Sequence, residues 1–571
     1  MNSLKGKDKV LKYERKYENL IELSFSRREE GDYIGALSIL KNMLTKDCNA
    51  DVYAHIADIY TDMGLYEQAV NCWYKFLSKS KKKYYTDAYN GLGANFFLSE
   101  NDDVAGYYFN KQLQSEPPEG SVYEDVLEDY LDSVIENKNG AYRVVYPVSE
   151  EKEAENKYEK GRELLRNKKY EEALKVLSEI EETDKIYLKA EVEKAYSYFY
   201  LNQPETSLSI ISDAIDKGEL SVYSLTLAIN ASAVIASQDL LGKYLDMLIE
   251  YKSEDEDEKY KKLSLLLTLN LVDMALEYSE EAMKSPKYLP GVYFIRGVIF
   301  YNRKDYFRAE ESLRYSYILG DNPITKFYLD LAESALIKKP VYRKLEYGFE
   351  LPEKEVIRRI ELVKKLFYNF TSGKEVDFPD DFVNVAKWVL FDGNKTLQSA
   401  LAVIISSDKL GRYVDLLKDA LISTYVSDEV KQRIITSLTE FGYSGDINVV
   451  YGYIYRKIRI PKIELENLHG VLQKAYCYAV GRLSLIEDGI IRLKTSTLAI
   501  QKKIKEKNSD FKPKEVSELA CIIYLQSSLV TFRNAEAVYS FFGSSKAKVN
   551  KIYFELFEKD VKTREKQWED I

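Results

Sequence analysis

A small or short side chain recurs at steps of 34 through much of this 571-residue sequence. Self-similarity at a period of about 20 to 50 residues is typical of arrays whose repeats are single supersecondary units. One such unit cannot bury its apolar side alone, so neighbouring units must stack on one another. The period therefore predicts a solenoid of helical hairpins. The recurring positions are Ala173, Ser207, Leu241, Ala275 and Ala309 at steps of 34, preceded by Ala36, Ala69 and Ala105 at steps of 33 and 36.

The residues around these positions resemble the tetratricopeptide repeat family. That family has an aromatic or large residue, then Leu, then Gly or Ala, then Tyr or Phe on helix A. An Ala and a Phe or Leu follow on helix B, with a Pro near the end. The small residues let the two backbones approach, while aromatic rings fill the gaps between hairpins. The resemblance implies a tetratricopeptide-type α-solenoid over roughly residues 17–340, with a peptide-binding inner face lined by helix A. Three copies match most fully: Tyr53, Ile56, Ala57, Tyr60, Ala69 and Trp73; Tyr89, Leu92, Gly93, Phe96, Ala105 and Phe109; and Tyr293, Gly297, Phe300, Ala309 and Leu313.

Composition favours a helical chain and excludes two classes of site. Hydrophobic residues at 45% and aromatic residues at 13% are too frequent for a disordered chain. The 26 Gly and 12 Pro are few enough to favour long helices over a turn-rich sandwich. With 2 His, 4 Cys and no CxxC spacing, a His-based zinc site and a disulfide framework are excluded. We therefore predict no metal and no cofactor.

The repeat spacing stops near Pro340, and the chain changes character there. Net charge changes from −15 before residue 341 to +5 after it, and the stretch 428–442 looks like a HEAT-type helix. We therefore predict an all-α protein of five parts. They are an N-terminal repeat block (1–120), a helix and linker (121–150), a second repeat block with an end helix (151–340), a helical HEAT-like segment (341–460) and a C-terminal helical domain (461–571).

The C-terminal domain contains a pattern that looks like a helix-turn-helix. Gly543 would supply the positive φ of the tight turn, and Tyr539 and Val549 would face the core. With the helix before it, this run resembles the cyclin-like repeat of transcription factor B. Two alternatives are open: the motif is purely structural, or the outer face of its second helix contacts nucleic acid. The stretch 451–507, with 12 basic and 5 acidic residues, would add phosphate contacts in the second case. Otherwise its basic runs, such as 456–459, are expected on a solvated helix face. The candidate DNA-contacting residues are Ser545, Lys546, Lys548, Asn550 and Lys551.

No motif in the sequence indicates catalysis. The chain has no GxxxxGK[ST], no GxGxxG after a strand and no GxSxG. His469 and Cys477 could form a nucleophile and base, but a helix of that length would place them roughly 12 Å apart. We therefore predict that the protein is not an enzyme. An enzyme subunit with an unrecognised site is kept as a third alternative.

Tyrosines and basic residues follow the predicted inner face of the second repeat block. Tyr offers a large contact area at low entropic cost, which suits the binding of a partner. The favoured function is a non-catalytic scaffold or adaptor that binds a protein or peptide in the concave groove. Two alternatives stay open: the rings pack between repeats, or the protein is a transcription-linked regulator that meets DNA through its C-terminal domain. The candidate groove residues are Tyr158, Arg162, Lys189, Tyr196, Phe199, Tyr200, Tyr260, Phe294 and Tyr301.

The sequence also predicts a cytoplasmic location. The N-terminal stretch 1–20 contains no apolar run and no cleavage site of a secretory signal. The most apolar stretches, such as 263–271 and 399–405, are far shorter than the roughly 18 residues of a membrane span. We therefore predict no membrane partner. The sequence predicts neither the identity of the protein partner nor the oligomeric state.

Overall fold

The computed structural model describes a chain of helices joined by short turns. The described residues fall into two compact units. The first combines the chain up to residue 114 with the chain from Leu351 onward, and the second runs from residue 150 to Glu350. The predicted helix and linker, 121–150, lie outside the described residues except for their last residue. The described residues are 17–44, 49–114, 150–253, 255–283, 290–487, 489–507, 515–527, 529, 531, 532 and 534–557.

The N-terminal part of the first unit is built from helical hairpins. Small residues on helix A bring the two helices of a hairpin together, as the sequence pattern predicts. A Cβ atom on Gly93 would lie 2.6 Å from the ring of Phe109 on the facing helix. The connection between Lys79 and Tyr85 holds a 3₁₀ turn, Lys82–Tyr84. The helices are α1 (17–29), α2 (Tyr33–Asn42), α3 (Asp51–Asp62), α4 (Tyr66–Lys79), α5 (Tyr85–Leu98) and α6 (Asp102–Leu113).

The second unit is a row of antiparallel hairpins, so the tetratricopeptide-type fold predicted from the repeat is confirmed. The small residues Ala173, Ser207, Ala275 and Ala309 are fully buried on the B helices. Leu241, which replaces the small residue in one copy, still lies in a regular hairpin. The pairs are α7 (Glu150–Arg166) with α8 (Tyr170–Leu177), α9 (Tyr187–Tyr200) with α10 (Pro204–Asp216), α11 (Val222–Val234) with α12 (Gln238–Glu250), α13 (Glu256–Thr268) with α14 (Val272–Ala282), and α15 (Pro290–Asn302) with α16 (Tyr306–Gly320), followed by α17 (Pro323–Ile337).

The turn inside each hairpin is the same. Two residues after helix A ends, one residue takes a left-handed conformation, and helix B begins two residues later. The N–H of the following residue bonds back to a carbonyl five residues earlier, as from Gln203 to Tyr198 at 3.0 Å. Such a bond caps the last turn of helix A and reverses the chain direction. The left-handed residues are Lys168, Asn202, Ala236, Asn270 and Lys304, again at steps of 34.

We predict that Gly297→Ala destabilises the second unit. A Cβ atom there would lie 2.6 Å from Cγ of Leu313 and 3.2 Å from the carbonyl oxygen of Ala309, so α15 and α16 would have to move apart. Overpacking of this kind costs ~1–3 kcal/mol. The free energy of unfolding, measured by urea denaturation, should fall accordingly.

The matched control is Gly242→Ala on α12, where nothing lies within 4 Å of the added methyl group. This change should stabilise the helix by ~0.5–1 kcal/mol, because Ala loses less backbone entropy than Gly. Equal effects of the two substitutions would contradict close packing at Gly297.

The C-terminal part of the first unit is a helical assembly with one β-hairpin. Its core includes α25, whose Leu519, Cys521, Ile523 and Leu525 are all buried. The elements are α18 (Glu353–Thr371), α19 (Phe382–Asp392), α20 (Lys395–Ser407), α21 (Val414–Ile422), α22 (Asp428–Glu440), β1 (Gly445–Tyr451), β2 (Ile454–Ile460), α23 (Gly470–Leu483), α24 (Ile491–Glu506), α25 (Val516–Gln526), α26 (Ala535–Phe541) and α27 (Lys546–Phe557).

The hairpin β1–β2 was not predicted. The two strands are antiparallel, with Tyr451 opposite Ile454, and both turn residues, Gly452 and Tyr453, have positive φ. That pair of conformations matches the twist of a two-residue hairpin. The basic run 456–459, expected on a solvated helix face, therefore lies on β2. Its period of two explains the difference, because Ile458 and Ile460 are buried while Lys457 and Arg459 are exposed.

The tip of this hairpin packs on the N-terminal helices of the same unit. The carbonyl oxygen of Tyr453 accepts hydrogen bonds from the hydroxyls of Tyr74 at 2.6 Å and Tyr108 at 2.7 Å. The Tyr108 oxygen in turn accepts from the N–H of Tyr455 at 3.0 Å. Tyr74 lies on α4 and Tyr108 on α6, the B helices of two successive hairpins. Two successive repeats thus hold one turn, which joins the N-terminal and C-terminal parts of the unit.

We predict that Tyr108→Phe destabilises the first unit. The substitution removes one donor to the Tyr453 carbonyl and leaves the Tyr455 N–H without its acceptor. A buried donor without a partner costs ~1–3 kcal/mol. Thermal denaturation should show a lower midpoint. Tyr84→Phe, at a ring that is 43% exposed, is the control and should leave the midpoint unchanged. An unchanged midpoint for Tyr108→Phe would mean that these bonds do not stabilise the unit.

Candidate functional site

The inner face of the second unit is formed by matching positions of successive A helices. Tyr158 on α7, Val192 on α9, Thr226 on α11 and Tyr260 on α13 follow one another at steps of 34. All four line one cavity of about 870 Å³. A volume of this size lies within the range of about 300–1,000 Å³ that is usual for ligand sites. We call this space the groove cavity.

A buried carboxylate, Glu193, lies in the wall of the groove cavity. Its side chain accepts a hydrogen bond from the Tyr223 hydroxyl at 3.1 Å and lies 3.6 Å from Nε of Arg162. Burial raises the pKa of the Glu193 carboxyl, while the bond from Tyr223 and the charge of Arg162 lower it by less. The wall therefore contains a polar centre whose charge depends on pH.

Arg162 connects this carboxylate to the aromatic part of the wall. Its guanidinium lies 3.2 Å from Oε1 of Glu159 and 5.7 Å from the centre of the Tyr158 ring. Burial raises the pKa of the Tyr158 hydroxyl to about 12, so this phenol is a neutral hydrogen-bond donor near neutral pH. Arg162 is thus held in place by two carboxylates and a ring.

Four tyrosines form a cluster at the edge of the groove cavity. The rings of Tyr196 and Tyr200 have centroids 4.6 Å apart, and Tyr170 stacks on Tyr200 at 5.3 Å. Tyr223 lies 6.1 Å from Tyr196. Burial, together with the neighbouring Tyr200 phenol, raises the pKa of Tyr196. Tyr200 is 52% exposed, so the cluster presents ring faces and hydroxyls to solvent. We call these four residues the tyrosine cluster.

Further charged side chains also line the groove cavity. Arg166, Lys189 and Lys261 are exposed along it. Two further carboxylates, those of Glu219 and Glu258, also line it. The Glu258 carboxylate accepts a bond from the backbone N–H of Val222 at 2.8 Å, which fixes it at the start of α11. The cavity therefore offers cations, an aromatic surface and fixed carboxylates together.

The structure brings most of the predicted groove residues together. Tyr158, Arg162, Lys189, Tyr196 and Tyr260 line the groove cavity. Tyr200 belongs to the tyrosine cluster beside it, and Phe199 packs edge-on against Tyr200 at 5.6 Å. These seven residues are therefore grouped along one surface of the second unit.

Phe294 and Tyr301 are placed differently from the prediction. Both are buried, with 0% and 1% of their surface exposed. Phe294 packs against Phe349, and the Tyr301 hydroxyl donates to the carbonyl oxygen of Tyr342. They lie on the inner face as expected, but residues of the same chain cover them. We therefore remove both from the set of accessible groove residues.

The sequence analysis missed Tyr223 and Glu193. Tyr223 lies one repeat period after Lys189, so applying the repeat to that candidate would have found it. Glu193 lies one helical turn after Lys189 and therefore on the same face of α9. Tyr170 gave no such signal, because it begins a B helix rather than an A helix.

The predicted DNA-contacting residues lie on or just before α27. Gly543 has a φ of +69° in the turn between α26 and α27, and Tyr539 is buried. The positive φ of Gly543 and the burial of Tyr539 thus agree with the sequence, while nucleic-acid contact stays a prediction. Of the five candidates, Ser545, Lys548 and Lys551 are exposed, whereas Lys546 and Asn550 are half-buried.

The His and Cys residues that were considered for catalysis do not line the groove cavity. His469 precedes the first residue of α23, and Cys477 is fully buried within that helix. Burial raises the pKa of the Cys477 thiol, which disfavours the reactive thiolate. Among the described residues, no group of His, Cys, Asp and Glu is arranged to hold a metal ion. No described helix has the length and apolar character of a membrane span.

The chain is similar to several solved structures. The C-terminal part of a tetratricopeptide repeat protein from Cytophaga hutchinsonii is 12% identical over 54% of this chain and 99% of its own length, with a TM-score of 0.16. The P58(IPK) repeat domain is 14% identical over 74% and 96%, with a TM-score of 0.20. Yeast Tom70 is 12% identical over 95% of both chains, with a TM-score of 0.19. No family model and no curated protein matches the sequence. The tetratricopeptide-type fold rests on the helices themselves.

We predict a pH-dependent effect of Glu193→Gln on stability. Because the folded protein raises the pKa of this carboxyl above its ordinary value of 4.5, the ionised form costs stability at neutral pH. Protonation removes that cost as the pH falls. The wild-type melting temperature should therefore rise relative to that of the variant between pH 7 and pH 4.5, measured by circular dichroism.

Glu159→Gln, at an exposed carboxylate of the same helix turn as Arg162, is the control. Its difference from the wild type should vary less with pH. A constant difference between the wild type and Glu193→Gln over this range would contradict the raised pKa.

Proposed function

We propose that the protein is a non-catalytic scaffold that binds a protein or peptide partner along the groove cavity. The observation that carries this proposal is the grouping of Tyr158, Arg162, Lys189, Tyr196 and Tyr260 on one concave wall. Helical hairpins whose A helices line an inner surface are well suited to hold an elongated partner. The cytoplasmic location predicted from the sequence is part of this proposal.

The chemistry of the wall supports a peptide rather than a small metabolite. The groove cavity extends over four successive A helices, α7 to α13. Tyr and Arg are the residues that most often contribute large amounts of binding energy at protein interfaces. Fixed donors and acceptors, such as the Glu193–Tyr223 pair, can orient a peptide backbone. The exposed cations favour a partner that brings carboxylates to this edge.

A non-catalytic role is supported by the chemistry of the same wall. Glu193 is held by Arg162 and Tyr223. A second lining carboxylate, that of Glu258, is bonded to a backbone N–H. General acid and base catalysis needs groups that can reach a substrate proton, and these two carboxylates are engaged with the protein. Binding is the function that this arrangement favours.

We confine the proposal to a protein partner. The face of α27 that carries the predicted DNA-contacting residues exposes Lys548 and Lys551 beside Glu555. Affinity for nucleic acid comes mainly from several cations placed against phosphates, so two lysines next to a carboxylate supply a weak signal. The groove cavity has the stronger combination of shape, aromatic surface and charge.

The test of this function is capture of a partner by the full-length protein, followed by a binding measurement with that purified partner. Tyr196→Ala with Tyr200→Ala should weaken binding by about tenfold or more, because two aromatic contacts with the partner are lost. Isothermal titration calorimetry gives the dissociation constant, and circular dichroism checks that helical content is unchanged.

Phe307→Ala is the matched control, because this ring is 69% exposed on α16, a B helix. The control should bind the partner as the wild type does. If the double variant binds as tightly as the control, the partner uses another surface and the proposal is wrong.

A further inference from the structure

An irregular segment of the chain lies along the inner face of the last hairpin. Residues 342–350 follow α17 and contain neither helix nor strand. The backbone groups of residues 343–351 form no hydrogen bond with another backbone group of the described residues. We call residues 342–350 the closing segment. Its backbone polar groups must therefore find their partners among side chains or water.

Side chains of α15 and α17 supply these partners. The Asn302 amide binds both backbone groups of Leu345: its Nδ2 donates to the carbonyl oxygen at 2.8 Å, and its Oδ1 accepts from the N–H at 2.7 Å. The Tyr301 hydroxyl donates to the carbonyl of Tyr342 at 3.0 Å. Proteins bind extended peptides in the same way. The hydrogen bonds go to the main chain of the peptide and so do not depend on the peptide's sequence.

The carbonyl of Glu350 and two apolar side chains complete the contact. The Tyr328 hydroxyl donates to the Glu350 carbonyl at 2.8 Å. Leu345 is 2% exposed, and the rings of Phe349 and Phe294 meet edge to face with centroids 4.7 Å apart. The side chains of Arg343 and Lys344 are exposed instead. Two apolar side chains four residues apart, Leu345 and Phe349, thus anchor the segment, while its basic side chains are exposed to solvent.

The closing segment covers residues that continue, at steps of 34, the series of positions lining the groove cavity. Phe294 follows Tyr260 by one repeat period, and Tyr260 belongs to the series that lines the groove cavity. Tyr328 follows Phe294 by a further period. The same face of successive A helices is therefore open in the earlier repeats and occupied in the last ones.

We propose that the closing segment is a built-in peptide ligand of this last part of the inner face, and that an extended peptide with Leu and Phe four residues apart displaces it. The covalent linkage gives the segment an effective concentration of about millimolar, which keeps the site closed to weak ligands. The site opens to peptides that bind more tightly or when the anchors are removed. This inference does not rest on partner binding in the groove cavity, so either can fail alone.

The test uses the full-length protein and a fluorescein-labelled peptide of residues 341–350. Leu345→Ala with Phe349→Ala removes both anchors from the chain but leaves them in the peptide. Fluorescence anisotropy should show at least tenfold tighter binding of the peptide to this variant than to the wild type. Adding Asn302→Ala to the variant should abolish binding, because the paired contacts to the Leu345 main chain are lost.

Lys344→Ala is the matched control, since its side chain is exposed, and it should bind the peptide as weakly as the wild type does. Hydrogen exchange provides a second measurement. In the anchor variant, the amides of residues 343–350 should exchange faster while those of α15 to α17 keep their wild-type rates. A displaceable ligand leaves the helices that bind it intact.

Three results would overturn the proposal. The first is equal binding of the peptide to the wild type and the anchor variant. The second is no binding to either protein at millimolar peptide. The third is loss of helical content, or faster exchange in α15 to α17 together with the closing segment, since the segment would then be a structural part of the last hairpin.

Discussion

The second unit depends on the close approach of two helix backbones inside each hairpin. Gly297 shows the constraint directly, since a Cβ atom there would lie 3.2 Å from the backbone oxygen of Ala309. At such distances the small residues of both helices are needed in this hairpin, and helix A must end at a fixed place. The left-handed residue two positions beyond each A helix provides that ending. Because this ending returns with the period of the repeat, each A helix presents the same side to the inner face.

This regularity explains both the groove cavity and its closed end. Residues at one register position, from Tyr158 to Tyr328, form a continuous inner surface along the unit. What differs between repeats is the side chain at that position and what covers it. Where Glu193, Arg162 and the tyrosine cluster lie, the surface is open and polar at its centre. Where Asn302 and Tyr301 lie, the chain binds its own main chain.

Repeat spacing made the hairpins and most of the groove predictable from sequence, since Ala173 and Ala309 mark helix packing that is local. Non-local contacts were not predictable in this way. Phe294 and Tyr301 were assigned to the right face, but the segment that covers them has no periodic pattern. The hairpin β1–β2 was missed because its basic residues alternate with Ile458 and Ile460 over only seven positions. Left-handed residues such as Ala236 also gave no signal, because Gly is the residue usually expected there.

The contact between Tyr108 and the turn at Tyr453 joins residues that are 345 positions apart in the chain. During synthesis at about 5–20 residues per second, α6 leaves the ribosome roughly 20–70 s before its hairpin partner. Throughout that interval Tyr74 and Tyr108 lack the carbonyl of Tyr453 as their hydrogen-bond acceptor. The N-terminal helices must therefore tolerate a long wait as an incomplete structure, with the whole second unit emerging in between. This delay between the tyrosine pair and its acceptor is a direct consequence of the order in which the chain is made.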